Sequence, residues 1–200
     1  KGYLKKNVIL TGNPIREDIR LMDKAEAKQS YHFDASRPVL AILGGSQGSA
    51  PFNRHFENHL EQYIASNIQI LWQCGKKYFF ELKELNRHKD VHIIPFTEDM
   101  DIFYSAADLI VSRAGALTLS EMALLGKAMV LIPLPHSAGD HQTTNAKTFS
   151  QRGAAVLVHQ ASLDSGSLEQ SVLELIQNPK KISHMEANSK KNGMPDATEK

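Results

Sequence analysis

The stretch that decides the fold is Val39-Leu40-Ala41-Ile42-Leu43 followed by Gly44-Gly45-Ser46-Gln47-Gly48. Five apolar residues after Pro38, broken by a glycine-rich run, read as a strand buried on both faces that ends in a tight turn. Pro51 then falls in the first turn of a segment whose Phe52, Phe56, Leu60 and Ile64 recur every four residues, the stripe of an amphipathic helix. Strand, glycine turn and helix make the first half of a βαβ crossover, and that connection implies a parallel sheet.

The same alternation continues in both directions. Apolar runs at residues 8–11, 68–74, 91–96, 109–111, 128–132 and 155–158 predict further strands. Between them, helical spacing appears in Tyr78, Phe79, Leu82 and Leu85, then over residues 99–107, 116–125 and 141–152. Leu168, Val172, Leu175 and Ile176 mark another helix, and the tail to Lys191 reads as helical too. Only residues 23–37 and the polar stretch 160–167 read as weakly structured. The prediction is one doubly wound, Rossmann-like α/β domain covering residues 1–200.

Composition narrows the function. The 200 residues carry 23 Lys+Arg against 22 Asp+Glu, a formal charge of +1, with 42% hydrophobic residues. A nucleic-acid binder normally shows a strong basic bias, so none is expected as a partner. The longest apolar runs are far too short to span a bilayer. The single cysteine, Cys74, excludes an internal disulfide and reads as a small buried hydrophobe at a strand end. The chain opens Lys1-Gly2-Tyr3 and stops at Lys200, and both ends look cut, as in a piece of a longer protein.

In doubly wound folds ligands bind beyond the carboxyl ends of the strands, so the loops there carry the chemistry. The loop Gly44-Gly45-Ser46-Gln47-Gly48 lets a backbone approach a ligand closely, and the following helix offers free N–H groups for a phosphate. A bare βα turn is the competing reading. The loop is not the dinucleotide fingerprint G-x-G-x-x-G, and Gln73-Cys74-Gly75 lacks the acid that would hold a ribose diol, which disfavours NAD.

Ser112-Arg113-Ala114-Gly115-Ala116-Leu117-Thr118-Leu119-Ser120-Glu121 opens a second helix toward the same crevice. Glu121 either accepts hydrogen bonds from a vicinal diol or pairs with Thr118 as a helix cap. The loop from Pro133 to Asn145 is rich in donors and acceptors suited to a hydroxyl-rich ligand. Its His136, Asp140 and His141 match no standard metal spacing, and Asp140 reads more simply as an N-cap. Asp99-Met100-Asp101 spells D-x-D, but acidic residues are expected at a helix start. Neither a serine elbow nor a glycosidase carboxylate pair is visible. His32, His55, His59, His88, His92, His159 and His184 read as scattered surface residues.

Taken in order, Thr11-Gly12-Asn13-Pro14-Ile15-Arg16, the glycine loop, the Ser112–Glu121 run, His141-Gln142 and Pro195-Asp196-Ala197-Thr198 resemble the signatures of one family. It comprises the MurG-type UDP-N-acetylglucosamine–N-acetylmuramyl-(pentapeptide) pyrophosphoryl-undecaprenol N-acetylglucosamine transferases. The resemblance covers the C-terminal half of that family and essentially all of this chain. It implies a GT-B enzyme whose C-terminal domain holds UDP-GlcNAc, with GlcNAc passing by inversion to the 4-hydroxyl of lipid I. Alternatives within the resemblance are a diacylglycerol galactosyltransferase or a split transferase, and outside it a non-catalytic UDP-binding module.

By position, the resemblance implies that Ser46 with Gly44, Gly45, Gln47 and Gly48 faces the diphosphate. Arg16 would lie near the donor, the backbone at Phe96-Thr97 at the uracil edge, and Glu121 at the ribose. Ala116, Leu117 and Thr118 would line the nucleotide, and Gln142 would hold sugar hydroxyls. The general base and lipid acceptor site would belong to an N-terminal domain, at the cytoplasmic face of the bacterial membrane. No cofactor or metal is expected for donor binding.

Overall fold

The computed structural model describes Asn13, Ile15, residues 19–135 and residues 137–194. The strand expected at residues 8–11, Arg16, His136 and the run 195–198 lie outside the described residues. The first element is a short helix, α1 (Lys24–Ser30), and then strands and helices alternate. They are β1 (Val39–Leu43), α2 (Ala50–Ala65), β2 (Gln69–Gln73), α3 (Phe79–Leu82), β3 (Val91–Ile94), α4 (Met100–Ala106) and β4 (Leu109–Ser112). After these come α5 (Ala116–Leu125), β5 (Met129–Leu131), α6 (His141–Gln151), β6 (Ala155–Leu157), α7 (Ser167–Ile176) and α8 (Pro179–Lys190).

Among the described residues six strands form one sheet in the order β3-β2-β1-β4-β5-β6, and every neighbouring pair is parallel. The order reverses between β1 and β4, so the two loops leaving those strands flank an open crevice. Alternation along β1 fills both faces. Leu40 and Ile42 join Phe52, Phe56, Trp72 and Val130 on one side. Val39, Ala41 and Leu43 join Phe103, Tyr104, Ile110 and Met122 on the other. Period-two side chains buried on both sides are why the strand sequences are continuously apolar.

Three local expectations are corrected. Within the stretch 23–37, residues 24–30 are helical and only 31–37 are turns and coil: Asp23 caps α1 by accepting from the N–H groups of Ala25 and Glu26, at 2.9 and 3.0 Å. The stripe from Tyr78 to Leu85 gives a single α turn, α3, followed by a 3-10 turn at Lys83–Arg87. The stretch after residue 160 holds a 3-10 turn, Gln160–Ser165, before α7 begins.

Candidate active site

The loop after β1 is built by glycine. Gly45 and Gly48 have φ of +84° and +73°, and the Gly48 N–H donates to the Gly45 carbonyl at 3.0 Å. A Cβ on Gly48 would stand 2.1 Å from the Cys74 carbonyl oxygen, because the loop packs directly on the end of β2. Only glycine satisfies both the left-handed backbone and that approach. Asn53 of α2 fastens the same junction: its Nδ2 donates to the Cys74 carbonyl at 3.0 Å, and its Oδ1 accepts from Trp72 Nε1 at 3.2 Å.

The loop opens onto a cleft of about 490 Å³ lined by residues from several strand ends. Gly44, Gly45, Ser46, Gln47 and Gly48 form one wall, while Gly115, Thr118, Leu134, Gln142 and Gln160 contribute from the loops and helix starts that follow β4, β5 and β6. Two helices begin here without a side-chain cap. At the start of α2 Ser49 makes no capping bond and Pro51 occupies the first turn, and at the start of α5 the capping position is Gly115. Their terminal N–H groups therefore remain available to an anion.

Arg113 is the one charged residue among the described residues that line the cleft. Its guanidinium lies 4.5 Å from the Phe52 ring centre. Nη1 donates to the carbonyls of Ile132 and Pro133 at 3.1 and 3.2 Å, and Nη2 donates to Ser49 Oγ at 2.8 Å and Gln160 Oε1 at 2.6 Å. Among the described residues no carboxylate lies within 4.0 Å of it. Burial lowers its pKa to about 10, which still leaves a full positive charge at neutral pH. A half-buried cation held by neutral acceptors and two uncapped helix starts give the cleft a positive potential suited to phosphates.

The other expected residues fall around this wall. Gln142 lines it, and its Oε1 accepts from the Leu134 N–H at 3.0 Å. Thr97, Ala116, Leu117 and Glu121 are not part of the lining. Glu121 is half-buried and accepts from Tyr104 Oη at 2.8 Å, so the reading in which it caps with Thr118 fails. The Thr97 N–H donates to Gln73 Oε1 at 3.1 Å, and Gln73 Nε2 donates to the Gly45 carbonyl at 3.4 Å. Gln73 thus ties the loop after β3 to the glycine loop. Asn13 reaches α5, its Nδ2 donating to Ser120 Oγ at 3.0 Å. Asp140 stands at the start of α6 with φ +53° but makes no capping bond.

The sequence assigns Arg113 no task, and the contacts that Gln73, Asn53 and Gln160 make in the cleft wall are not legible in it. Arg113 sits alone among small apolar neighbours directly after β4. That isolation was the available signal.

The profile described as "Glycosyltransferase family 28 C-terminal domain" matches residues 39–200. The chain belongs to that family. A transferase from Flavobacterium psychrophilum, named as the UDP-N-acetylglucosamine–N-acetylmuramyl-(pentapeptide) pyrophosphoryl-undecaprenol N-acetylglucosamine transferase, is 38% identical over 98% of this chain and 54% of its own length. The enzyme of the same name from Cytophaga hutchinsonii is 38% identical over 96% of this chain and 52% of its own length. The chain thus spans about half the length of the curated relatives it matches.

The crystal structure of MurG from Acinetobacter baumannii superposes with a TM-score of 0.71 at 29% identity, covering 92% of this chain and 52% of that one. The C-terminal CMP-Kdo binding domain of WaaA, also from Acinetobacter baumannii, superposes at 0.60 with 13% identity, covering 84% of this chain and 94% of that one. At that identity the likeness establishes the fold alone. The family 28 C-terminal domain and the doubly wound sheet agree with what the motifs imply.

Proposed function

We propose that the cleft binds UDP-N-acetylglucosamine and that this chain is the donor-binding part of a longer hexosyltransferase. That enzyme would move GlcNAc by inversion to the 4-hydroxyl of lipid I to give lipid II for peptidoglycan. The observation that carries the reading is Arg113, a cation with no carboxylate partner among the described residues, set beside the uncapped starts of α2 and α5. The shared name of the relatives supports the choice of sugar and acceptor.

The chemistry follows from the placement of charge. As the bond from the anomeric carbon to the diphosphate breaks, negative charge grows on the departing phosphate oxygens. Arg113 and the two helix starts oppose that charge with dipoles that are already oriented, which is the effective form of electrostatic stabilisation. Ser46 adds a hydroxyl at the same wall, and these groups hold the diphosphate without a metal. Glu121, steadied by Tyr104, takes the ribose diol, and the backbone beside Thr97 takes the uracil edge. Ala116, Leu117 and Thr118 flank the nucleotide, and Gln142 binds sugar hydroxyls.

The acceptor oxygen attacks from the opposite face and gives its proton to a base on the N-terminal acceptor domain of the longer protein. That domain also carries the undecaprenyl-linked acceptor and places the enzyme at the cytoplasmic face of the membrane. No helix among the described residues is long and apolar enough to cross a bilayer, which fits a peripheral association.

Calorimetric titration of the chain tests this reading. UDP-GlcNAc should bind, more tightly than UDP-glucose, and NAD should not. A folded chain that binds no uridine nucleotide contradicts it.

A further inference from the structure

On the flank of α2, one turn and more beyond the glycine loop, lies a polar cluster that donor binding does not use. His55 and His59 are four residues apart on α2, and Glu169 of α7 faces them. His55 Nε2 lies 3.4 Å and His59 Nε2 3.1 Å from the same oxygen, Glu169 Oε1. The His55 and Glu169 side chains are only 2% and 5% exposed, so His55 is not the scattered surface residue that the sequence suggests.

The cluster is unsatisfied as it stands. Neither contact is aligned as a hydrogen bond, and both His55 ring nitrogens and both Glu169 oxygens lack a hydrogen-bond partner among the described residues. His59 Nδ1 lies 2.8 Å from the His55 carbonyl, and a carbonyl only accepts, so Nδ1 carries the proton. In the neutral ring Nε2 is then a bare lone pair against a carboxylate. The buried Glu169 carboxylate, without a hydrogen-bond partner among the described residues and faced by the His59 lone pair, suits a shared cation.

The spacing identifies the class of cation. Zinc bonds to histidine nitrogen and carboxylate oxygen are about 2.0–2.2 Å, so two ligands at the tetrahedral angle stand about 3.4 Å apart. The contacts of 3.4 and 3.1 Å match that separation. A shared ion also explains the misalignment, because each lone pair then aims at the ion and not at the other ligand. The bond from His59 Nδ1 to a backbone carbonyl is the usual outer contact of a metal-bound histidine.

We propose that His55, His59 and Glu169 form a binding site for a divalent transition-metal ion of the zinc type. Three protein ligands leave one position for water, reached past His59, whose side chain is 34% exposed. Asp164, on the turn before α7, adds a further negative charge to the surroundings of His55. The ion clips α2 to α7 and so steadies the helix whose start opens onto the cleft. It plays no part in holding the diphosphate.

The test is titration of the chelator-treated chain with Zn²⁺ by calorimetry, with Co²⁺ absorption as a second readout and Mg²⁺ as a control. One equivalent of zinc should bind, Co²⁺ should give tetrahedral ligand-field bands, and Mg²⁺ should give no heat. Loss of an outer contact alone typically costs 10–100-fold in affinity, so His59→Ala and Glu169→Gln should each cost about 100-fold or more. His59 is the least buried ligand, which makes its replacement the safer variant for folding. Zinc should raise the thermal midpoint of the parent and leave that of His59→Ala unmoved. No zinc binding by the folded parent, or binding unchanged in both variants, overturns the proposal. Uridine-nucleotide affinity measured with and without zinc keeps this outcome separate from failure of the donor-binding reading.

Discussion

Arg113 decides the chemistry of the cleft at the scale of one residue. It gives the cleft its positive charge and at the same time joins β4 to the loop after β5 through the carbonyls of Ile132 and Pro133. Lysine keeps the charge but loses the planar fork. Hydrogen bonds from a charged donor contribute about 1.5–3 kcal/mol each, so Arg113→Lys should weaken UDP and pyrophosphate alike by about 10- to 100-fold. It should also lower the thermal midpoint, and calorimetry with scanning fluorimetry reads both effects. Glu121→Ala should behave differently. Its loss should weaken UDP by about 10-fold or more while leaving pyrophosphate nearly unchanged, because only the nucleoside presents a diol. Equal losses for the two ligands would remove the ribose role.

At the scale of elements, the junction between the glycine loop and β2 tolerates no side chain. Gly48→Ala puts a methyl 2.1 Å from the Cys74 carbonyl on a backbone with φ +73°. Left-handed strain alone costs about 1–3 kcal/mol, and the clash forces the loop away from the end of β2. Urea denaturation should register the loss of stability, and donor affinity should fall with it. A Gly45→Ala control meets no atom within 4 Å and should bear the strain without the clash.

The clasp around α1 is a second such junction. Asp108 accepts from Lys24 at 2.9 Å and from the Val39 N–H at 2.8 Å, and it pairs with Lys28 at 2.8 Å. Burial pushes the Asp108 carboxyl up, but the Lys28 and Lys24 ammonium groups and the Val39 N–H outweigh it and hold it below its usual value. The unfolded chain therefore takes up this proton at higher pH than the folded one. The stabilisation is complete above the ordinary carboxylate range and fades as pH falls through it. Asp108→Asn should cost about 2–4 kcal/mol near neutral pH, with the gap to the parent closing in acid. Urea curves at the two pH values measure it.

Over the whole molecule, what is local in the chain is legible in its sequence. The bounds expected for β1 and α5 match the structure because both are set by adjacent glycine or proline and by short-range periodicity. α1 escapes notice because it buries only Ala27 and Lys28, leaving no apolar stripe, although Asp23 and Glu26 stand at capping positions. The cleft follows the same division. The glycine loop announces itself, whereas the bonds from Arg113 to Ser49 and Gln160 span 64 and 47 residues and exist only once the sheet has formed. His55 reads as a surface residue for the same reason, since Glu169, which faces it, comes from α7 at the far end of the chain.

On the proposed reading, the phosphates of a uridine nucleotide sit between the starts of α2 and α5. Amide shift mapping by ¹⁵N NMR during titration with UDP-GlcNAc tests it most directly. The claim predicts that the largest changes fall on residues 45–50 and 115–118, with smaller ones near Gln142 and Tyr104. Saturable binding whose shifts fall elsewhere, with those two segments unmoved, would contradict it.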